Sequence, residues 1–190
     1  MIKKVMLLLS AVMTLAGCVK KGEEDPLISI RSRKARLTGN WEVQNITIAG
    51  GIDLTDYRVA GQEVLCANFN FEDHYQLNHY TVDFEKNENA RFAWDFNHLV
   101  YSPAGCDYEH LAGSVDRHGT WSFTNQKEGL DFVYEEDGKS RTQHFEIIGL
   151  SNRSLLLTYE QLLPVRIENG EARVSAPTLY TATLSLKRID

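Results

Sequence analysis

From Trp41 to the end of the chain, apolar and polar residues alternate with a period of two, the pattern of β-strands that bury one face. The clearest runs are 80–85 and 91–100, and the polar turn 87–89 joins them into a hairpin. Further strands are predicted near 41–48, 65–72, 121–123, 130–134, 145–147, 155–159 and 180–186. Short strands joined mostly by hairpins are typical of antiparallel sandwiches and barrels, so the sequence predicts an all-β fold.

One short helix is predicted before the strands, over residues 26–36. Asp25 and Pro26 supply an N-cap and a proline at the first helical position, and apolar residues follow near helical spacing. Basic residues lie towards the end of the segment, which suits the helix dipole. We interpret them as a solvated face rather than a binding patch. They are Arg31, Arg33, Lys34 and Arg36.

Three segments interrupt the alternation: 49–64, 101–118 and 161–177. Loops longer than about a dozen residues are uncommon unless they carry function or are disordered. The sequence therefore predicts long loops at these positions. Binding loops and surface insertions explain their length almost equally well, and this choice stays open.

The first eighteen residues carry a targeting signal. Lys3 and Lys4 precede an apolar stretch, 5–15, that is too short to span a bilayer, and Leu15-Ala16-Gly17-Cys18 follows. This ending resembles the lipobox of bacterial lipoproteins. The resemblance implies a signal peptide over 1–17, cleavage before Cys18 and lipid on the Cys18 thiol. An ordinary secretory leader is the alternative.

The lipobox resemblance also implies a location. A charged tether, 18–26, would link the lipid to a domain over 27–190. Val19 follows the lipidated cysteine, where enteric sorting rules would need aspartate for retention at the inner membrane. By that resemblance the protein is expected in the bacterial cell envelope as an outer-membrane lipoprotein, on the periplasmic face or the cell surface.

Two cysteines, Cys66 and Cys106, remain after the leader. An exported protein meets an oxidising compartment, which favours a disulfide between them. Two small buried thiols are the alternative.

Two tryptophan motifs give the β-domain a family resemblance. Gly39-Asn40-Trp41 opens the first strand just after the helix, Gly119-Thr120-Trp121 opens a later one, and Arg188 closes the last. This resembles lipocalins, in which the tryptophan of G-x-W plugs the barrel floor and an arginine of the final strand stacks on it. It is closest to the lipocalin-like lipoproteins common in Bacteroidetes. The resemblance implies an eight-stranded antiparallel up-and-down barrel with a short N-terminal helix, its floor built from Gly39, Trp41 and Arg188.

A barrel of eight strands either fills its interior with side chains or holds one small ligand. Aromatic residues on the inward face of the predicted strands are the ligand-lining candidates. They are Tyr80, Phe84, Phe92, Trp94, Phe96, Tyr134 and Tyr159. A packed core is the alternative, because aromatic residues at strand spacing usually belong to the core.

Composition and charge narrow the functional classes. The chain has 190 residues, 43% of them hydrophobic, which suits one domain, and its net charge of -6 offers no basic surface for nucleic acid. The six histidines lack metal-ligand spacing and no nucleophile motif is present, so we expect no metal, cofactor or enzymatic activity. The leading hypothesis is a lipoprotein that binds a small apolar ligand. The alternative is an interaction, structural or inhibitor lipoprotein with a filled barrel, which contacts an envelope partner through its long loops.

Overall fold

The structure, a computed structural model, describes residues 32–48, 51–63, 69–102, 104–124, 127–168 and 171–189. Within these residues lie one short helix and nine strands. Their bounds are α1 Arg33–Leu37, β1 Gly39–Thr47, β2 Asp56–Glu63, β3 Phe69–Phe84, β4 Asn89–Ser102, β5 Asp107–Thr124, β6 Gly129–Glu136, β7 Lys139–Leu150, β8 Ser154–Glu168 and β9 Glu171–Arg188. In this part of the chain no helix has the length and hydropathy that crossing a membrane requires.

Eight of the strands form a closed antiparallel barrel, as predicted. Strands β3 to β9 pair with their neighbours in chain order, and β1 closes the circle by pairing with both β3 and β9. The closing register places Trp41 opposite Arg188 and Gly39 opposite Phe84. Residues from the two ends of the domain therefore meet where the sheet closes.

The remaining strand, β2, completes the seam between β3 and β9. It pairs antiparallel with β3 from Asp56↔Gln76 to Glu63↔Phe69, and its middle meets β9 in a short parallel contact. Strand β1 occupies the same gap at the opposite end of the barrel. We call the end covered by β1 and α1 the floor, and the end flanked by β2 the mouth.

The floor is packed solid. Trp41, Trp121, Phe84 and Leu37 are almost completely buried there. The rings of Phe84 and Trp121 meet edge to face, with centroids 5.8 Å apart, a favoured arrangement of aromatic pairs. The short helix α1 begins after Ser32, whose side chain caps the amide of Ala35, and covers this end.

In both G-x-W motifs the structure explains why the first residue is glycine. Gly39 has φ 140°, a backbone conformation that residues with a Cβ rarely adopt. At Gly119, an added Cβ would overlap the carbonyl oxygen of Val133 on β6. The first glycine therefore allows the chain to turn from α1 into β1, and the second allows β5 and β6 to approach closely.

The prediction of three long loops is wrong. Segment 49–64 contains β2, segment 101–118 contains the first two-thirds of β5, and segment 161–177 contains the end of β8 and the start of β9. The outer part of β5, which is its mouth-side half, is exposed on both faces, as at Glu109 and His110. A strand without a buried face has no reason to alternate, so the periodicity that predicts strands is missing there.

Residues 69–72 of the strand predicted near 65–72 and the strand predicted at 80–85 belong to one long strand, β3, while residues 65–68 lie outside the described residues. A register shift against β4 between Asn78 and Thr81, with His79 at φ 50°, interrupts it. Inward residues are odd-numbered before this bulge and even-numbered after it, as at Leu77 and Tyr80. The extra residue thus resets the alternation and makes one strand read as two.

The helix and its charges differ from prediction. The helix that the structure describes spans Arg33–Leu37, and the predicted start at Pro26 and residue Arg31 lie outside the described residues. Arg33 and Arg36 are buried instead of solvated, because α1 lies against the floor and Arg36 donates to the carbonyl of Leu150. Of the three basic residues that the structure describes here, Lys34 is the one that behaves as expected, pairing with Glu88 on the surface at 2.7 Å.

Candidate functional site

The mouth half of the barrel encloses a cavity of about 400 Å³. Its wall is mainly aromatic and includes five tyrosines. The ring residues of the wall are Tyr57, Tyr75, Tyr80, Phe92, Trp94, His98, Phe132, Tyr134, Phe145 and Tyr159. The aliphatic residues are Ile46, Leu54, Leu77 and Leu163, and the remaining polar ones are Arg117, Gln143 and Gln161. A largely apolar pocket with a few convergent polar groups is the usual form of a small-molecule site.

Five of the seven predicted ligand-lining residues lie on this wall. They are Tyr80, Phe92, Trp94, Tyr134 and Tyr159. The interior is therefore filled at the floor and open at the mouth, which combines the two alternatives that the sequence left open.

The other two candidates, Phe84 and Phe96, are not on the cavity wall, contrary to the prediction. Phe84 is completely buried in the floor core, because β3 passes below the cavity before it ends. The ring of Phe96 lies over Gly113 of β5, which faces it across the strand pair and has no side chain to displace it. From there Phe96 contacts the wall residue His98, with ring centroids 4.9 Å apart.

Sequence reasoning missed the polar part of the wall. Arg117 falls inside the segment predicted as a loop, although it has the same parity as Trp121 and Phe123 farther along β5. Extending that alternation backwards would have placed Arg117 on the inward face. Gln143 and Gln161 were missed because glutamine is usually read as an outward residue.

Arg117 is the one cationic side chain among the described residues of the wall. Its guanidinium carbon lies 5.2 Å from the ring centre of Trp94 and 4.9 Å from that of Tyr134, a cation–π contact on two sides. Nη2 donates to Glu136 at 2.5 Å, and the side chain is 34% exposed. Arg141 lies 3.8 Å from the other oxygen of Glu136. The arginine is thus held in place at the cavity mouth.

Burial makes three phenol groups of the wall harder to deprotonate than a free tyrosine. It raises the pKa of Tyr159 to about 12, and it also raises the pKa of Tyr80 and Tyr57. At neutral pH these hydroxyls are therefore neutral donors and acceptors. They give an otherwise apolar cavity positions for hydrogen bonds without adding negative charge.

Burial also shifts the pKa of two groups on the β3–β4 side. It lowers the pKa of His98, which keeps the imidazole neutral at pH 7. It raises the pKa of Asp73, although the backbone amide of Tyr101 donates to this carboxyl at 2.6 Å and opposes the shift. The β3–β4 side of the cavity therefore holds a neutral ring rather than a second cation.

The wall of the barrel is incomplete beside the cavity. Strands β7 and β8 pair only from Glu146↔Thr158 to Leu150↔Leu155, so their mouth-side halves pair with β6 and β9 alone. A crevice of about 540 Å³ lies at this gap, and Gln143 and Tyr159 line both the crevice and the cavity. Two side chains therefore separate the interior from the side of the barrel.

The predicted floor residues come together. The guanidinium carbon of Arg188 lies 4.6 Å from the ring centre of Trp41, and Nη2 donates to the carbonyls of Thr38, at 2.9 Å, and Arg36. Trp41 Nε1 donates to the carbonyl of Leu37 at 2.8 Å. The arginine and the indole thus fasten α1 to both ends of the barrel sheet.

Of the three predicted cysteine positions, the structure describes one. Cys18 and Cys66 are outside the described residues, and Cys106 lies in the turn between β4 and β5. Among the described residues, no group of three metal-ligating side chains is close enough to hold an ion.

No protein-family model matches the sequence, and none of the curated proteins is significantly similar to it.

Proposed function

We propose that this protein is a cell-envelope lipoprotein whose lipocalin-like barrel binds a small apolar ligand in the mouth cavity. The observation that carries the proposal is the cavity itself, about 400 Å³ with a mainly aromatic wall, above a solid floor. Such a volume lies in the range of small-molecule sites, roughly 300–1,000 Å³. The contact of Arg188 with Trp41 supports the likeness to lipocalins, since it is the floor geometry that the resemblance implies.

The lipoprotein part of the proposal rests on the sequence of residues 1–18. We expect the exported chain to begin at Cys18 with acyl chains on this residue, and to fractionate with the outer membrane. Mass spectrometry of the N-terminal peptide tests this, with Cys18→Ala as the variant that should lose the lipid. An unmodified Cys18, or cleavage elsewhere, would contradict it.

A disulfide between Cys66 and Cys106 belongs to the same proposal. The hydroxyl of Tyr108, two residues after Cys106, accepts from the amide of Glu72 on β3 at 3.1 Å, and His74 of β3 pairs with Leu99 of β4. Cys66 precedes β3 by three positions in the sequence. Non-reducing peptide mapping should recover the linked pair, and two alkylated free thiols would argue against it.

The binding proposal can be tested with one probe and two neighbouring substitutions. Leu163 is on the cavity wall and 9% exposed, whereas Leu162, next to it on β8, is 58% exposed. Tryptophan at either position adds the same indole, once inside the barrel and once outside. The probe is N-phenyl-1-naphthylamine, whose fluorescence rises in an apolar site, titrated into the chain from residue 19 onward, which contains every described residue.

We expect saturable one-site binding to the unchanged chain and to Leu162→Trp. Leu163→Trp should weaken binding at least about ten-fold, because the added ring fills the cavity. Circular dichroism and thermal unfolding establish that both variants are folded. Absence of saturable binding, or equal binding by the two variants, would refute a ligand in this cavity.

The alternative is a protein-interaction, structural or inhibitor lipoprotein, in a revised form. Its two premises, a filled barrel and long loops, do not hold, but the outer face of the β8–β9 hairpin carries two adjacent exposed leucines. Leu162 and Leu179 are register partners and both are exposed. Serine at Leu162 and Leu179 should abolish chemical cross-linking to an envelope partner in cells while leaving probe binding unchanged. Cross-links that persist in this variant would remove the alternative.

A further inference from the structure

The arrangement around Arg117 indicates the charge and the shape of the cavity ligand. We propose that the ligand is a compact aromatic anion, with its flat ring system among the rings of the wall and its anionic group against the Arg117 guanidinium. This inference rests on the proposed function, because it specifies the ligand of the same cavity.

The charge follows from the groups at the mouth. Arg117 and Arg141 share a single carboxylate, that of Glu136, so the three groups together keep one positive charge. None of the described wall residues is acidic. In a chain whose net charge is -6, a cation facing an acid-free cavity is a local exception. It is the feature that a bound anion would require.

The guanidinium is positioned before any ligand arrives. Trp94 and Tyr134 contact it on two sides, and Glu136 is its one hydrogen-bond partner among the described residues, through Nη2. A guanidinium has five N–H donors, so most of them are left for an anion. Because the rings already restrict the side chain, binding would cost little additional side-chain entropy.

The shape follows from the rings next to the arginine. Phe92 and Phe132 have centroids 4.4 Å apart with 31° between their planes, and Phe132 and Tyr134 are 5.1 Å apart at 17°. Phe145 is nearly parallel to Phe92, at 10°. This row of rings is almost completely buried and ends at Tyr134 beneath Arg117. The rings that border the open space are the partly buried ones, among them Tyr80, Trp94, Tyr134 and Tyr159. A planar aromatic ligand can stack on the faces of such rings, whereas an alkyl chain gains only general apolar contact.

The charge can be tested with two dyes that share a skeleton. 1-Anilinonaphthalene-8-sulfonate is N-phenyl-1-naphthylamine with an added sulfonate, and both fluoresce in apolar sites. The unchanged chain should bind the anionic dye about ten-fold more tightly, the size of one good charge-assisted hydrogen bond. Arg117→Gln should remove this preference while changing the affinity of the neutral dye less than about two-fold.

Two further variants make the result specific. Arg141→Gln removes a cation beside the same Glu136 but outside the cavity wall, and should leave the dye preference within about two-fold of the unchanged chain. Glu136→Gln removes the competing carboxylate and should strengthen anionic binding by about three-fold. This gain keeps the inference testable should Arg117→Gln fail to fold.

The shape can be tested by displacing the anionic dye with two carboxylates of eleven carbons each, 2-naphthoate and undecanoate. We expect 2-naphthoate to displace the dye at concentrations at least about ten-fold lower. Equal competition, or stronger competition by undecanoate, would overturn the aromatic part of the inference.

These outcomes separate the two proposals. If the neutral dye binds and Leu163→Trp blocks it, yet the sulfonate adds nothing, the proposed function stands and the anion is refuted. If neither dye binds at one saturable site, the proposed function itself fails. An anionic preference that survives Arg117→Gln would show that other cations bind the dye, and would also refute the inference.

Discussion

The floor and the mouth of the barrel both contain inward-facing aromatic residues, which form a packed core at the floor and a cavity wall at the mouth. At the floor, Trp41 and Trp121 donate their indole N–H groups to the nearby carbonyls of Leu37 and Glu85, so they can be completely buried. At the mouth, the rings of Tyr80 and Tyr159 line an open space with polar tips among them. The comparison teaches that a stripe of inward rings becomes core or pocket wall according to what closes the barrel at that level.

The largest expected contrast is between two tryptophans. Trp41→Ala should lower the free energy of unfolding by about 3–5 kcal/mol, because it leaves a cavity in a fully packed floor. Trp94→Ala should cost less than about 2 kcal/mol, because its ring already borders open space. Denaturation by guanidinium chloride measures both. Equal losses would mean that the mouth is packed as tightly as the floor.

Glycine substitutions give the next contrast. Gly119→Ala should destabilise the domain by about 3 kcal/mol, because the new Cβ meets the backbone of Val133, which cannot move aside. Gly113→Ala, in the outer part of the same strand, should cost less than about 1 kcal/mol, since its Cβ meets the end of the Phe96 ring, which can rotate. Their midpoints in the same denaturant should therefore differ clearly, and matching midpoints would contradict the close approach of β5 and β6.

The two arginines that contact rings provide a smaller contrast. Arg188→Lys should cost about 1–2 kcal/mol, because lysine cannot stack on Trp41 and also donate to two carbonyls of the α1 segment. Arg117→Lys should cost less than about 0.5 kcal/mol, because its ion pair is partly exposed. Thermal unfolding compares them, and a larger loss at Arg117 would reverse the proposed division between structural and binding arginines.

The smallest expected effect depends on pH. Burial lowers the pKa of His98 in the folded state, so below its ordinary value of 6.5 the unfolded chain takes up a proton that the folded chain does not. The folded state should therefore lose stability as the pH falls from about 6.5, whereas above this value both states are neutral and the effect vanishes. The melting temperature of His98→Gln should fall less between pH 7 and 5 than that of the unchanged chain. Parallel pH curves would show that His98 is not responsible.

How much the sequence predicts also differs between the two ends. The floor was predicted through the resemblance to lipocalins that G-x-W and Arg188 carry, and the turn 87–89 through its local polar sequence. The tall strands around the mouth were not, because the outer part of β5 buries neither face and so shows no period. The bulge near His79 was equally invisible, since it changes which residues face inward without changing composition.

The candidate site was predictable in its rings but not in its charge. Alternation places Tyr80, Trp94 and Tyr134 inward whether they form a core or a pocket. Whether these rings form a core or a pocket wall depends on how far the neighbouring strands extend towards the mouth. That extension depends on pairings between strands far apart in the sequence. Arg117 became visible once β5 was seen to continue through the predicted loop.

The short pairing of β7 with β8 bears on how a ligand of the proposed kind could enter and leave. Only the stretch from Glu146↔Thr158 to Leu150↔Leu155 holds these two strands together. Separating the mouth-side halves of β7 and β8 breaks no hydrogen bonds between these two strands. A molecule passing through this gap would therefore require local rearrangement of Gln143 and Tyr159 rather than unfolding of the barrel. Exchange of the proposed ligand by this lateral route would depend on two side chains, whereas the fully buried aromatic core lies at the opposite end of the barrel.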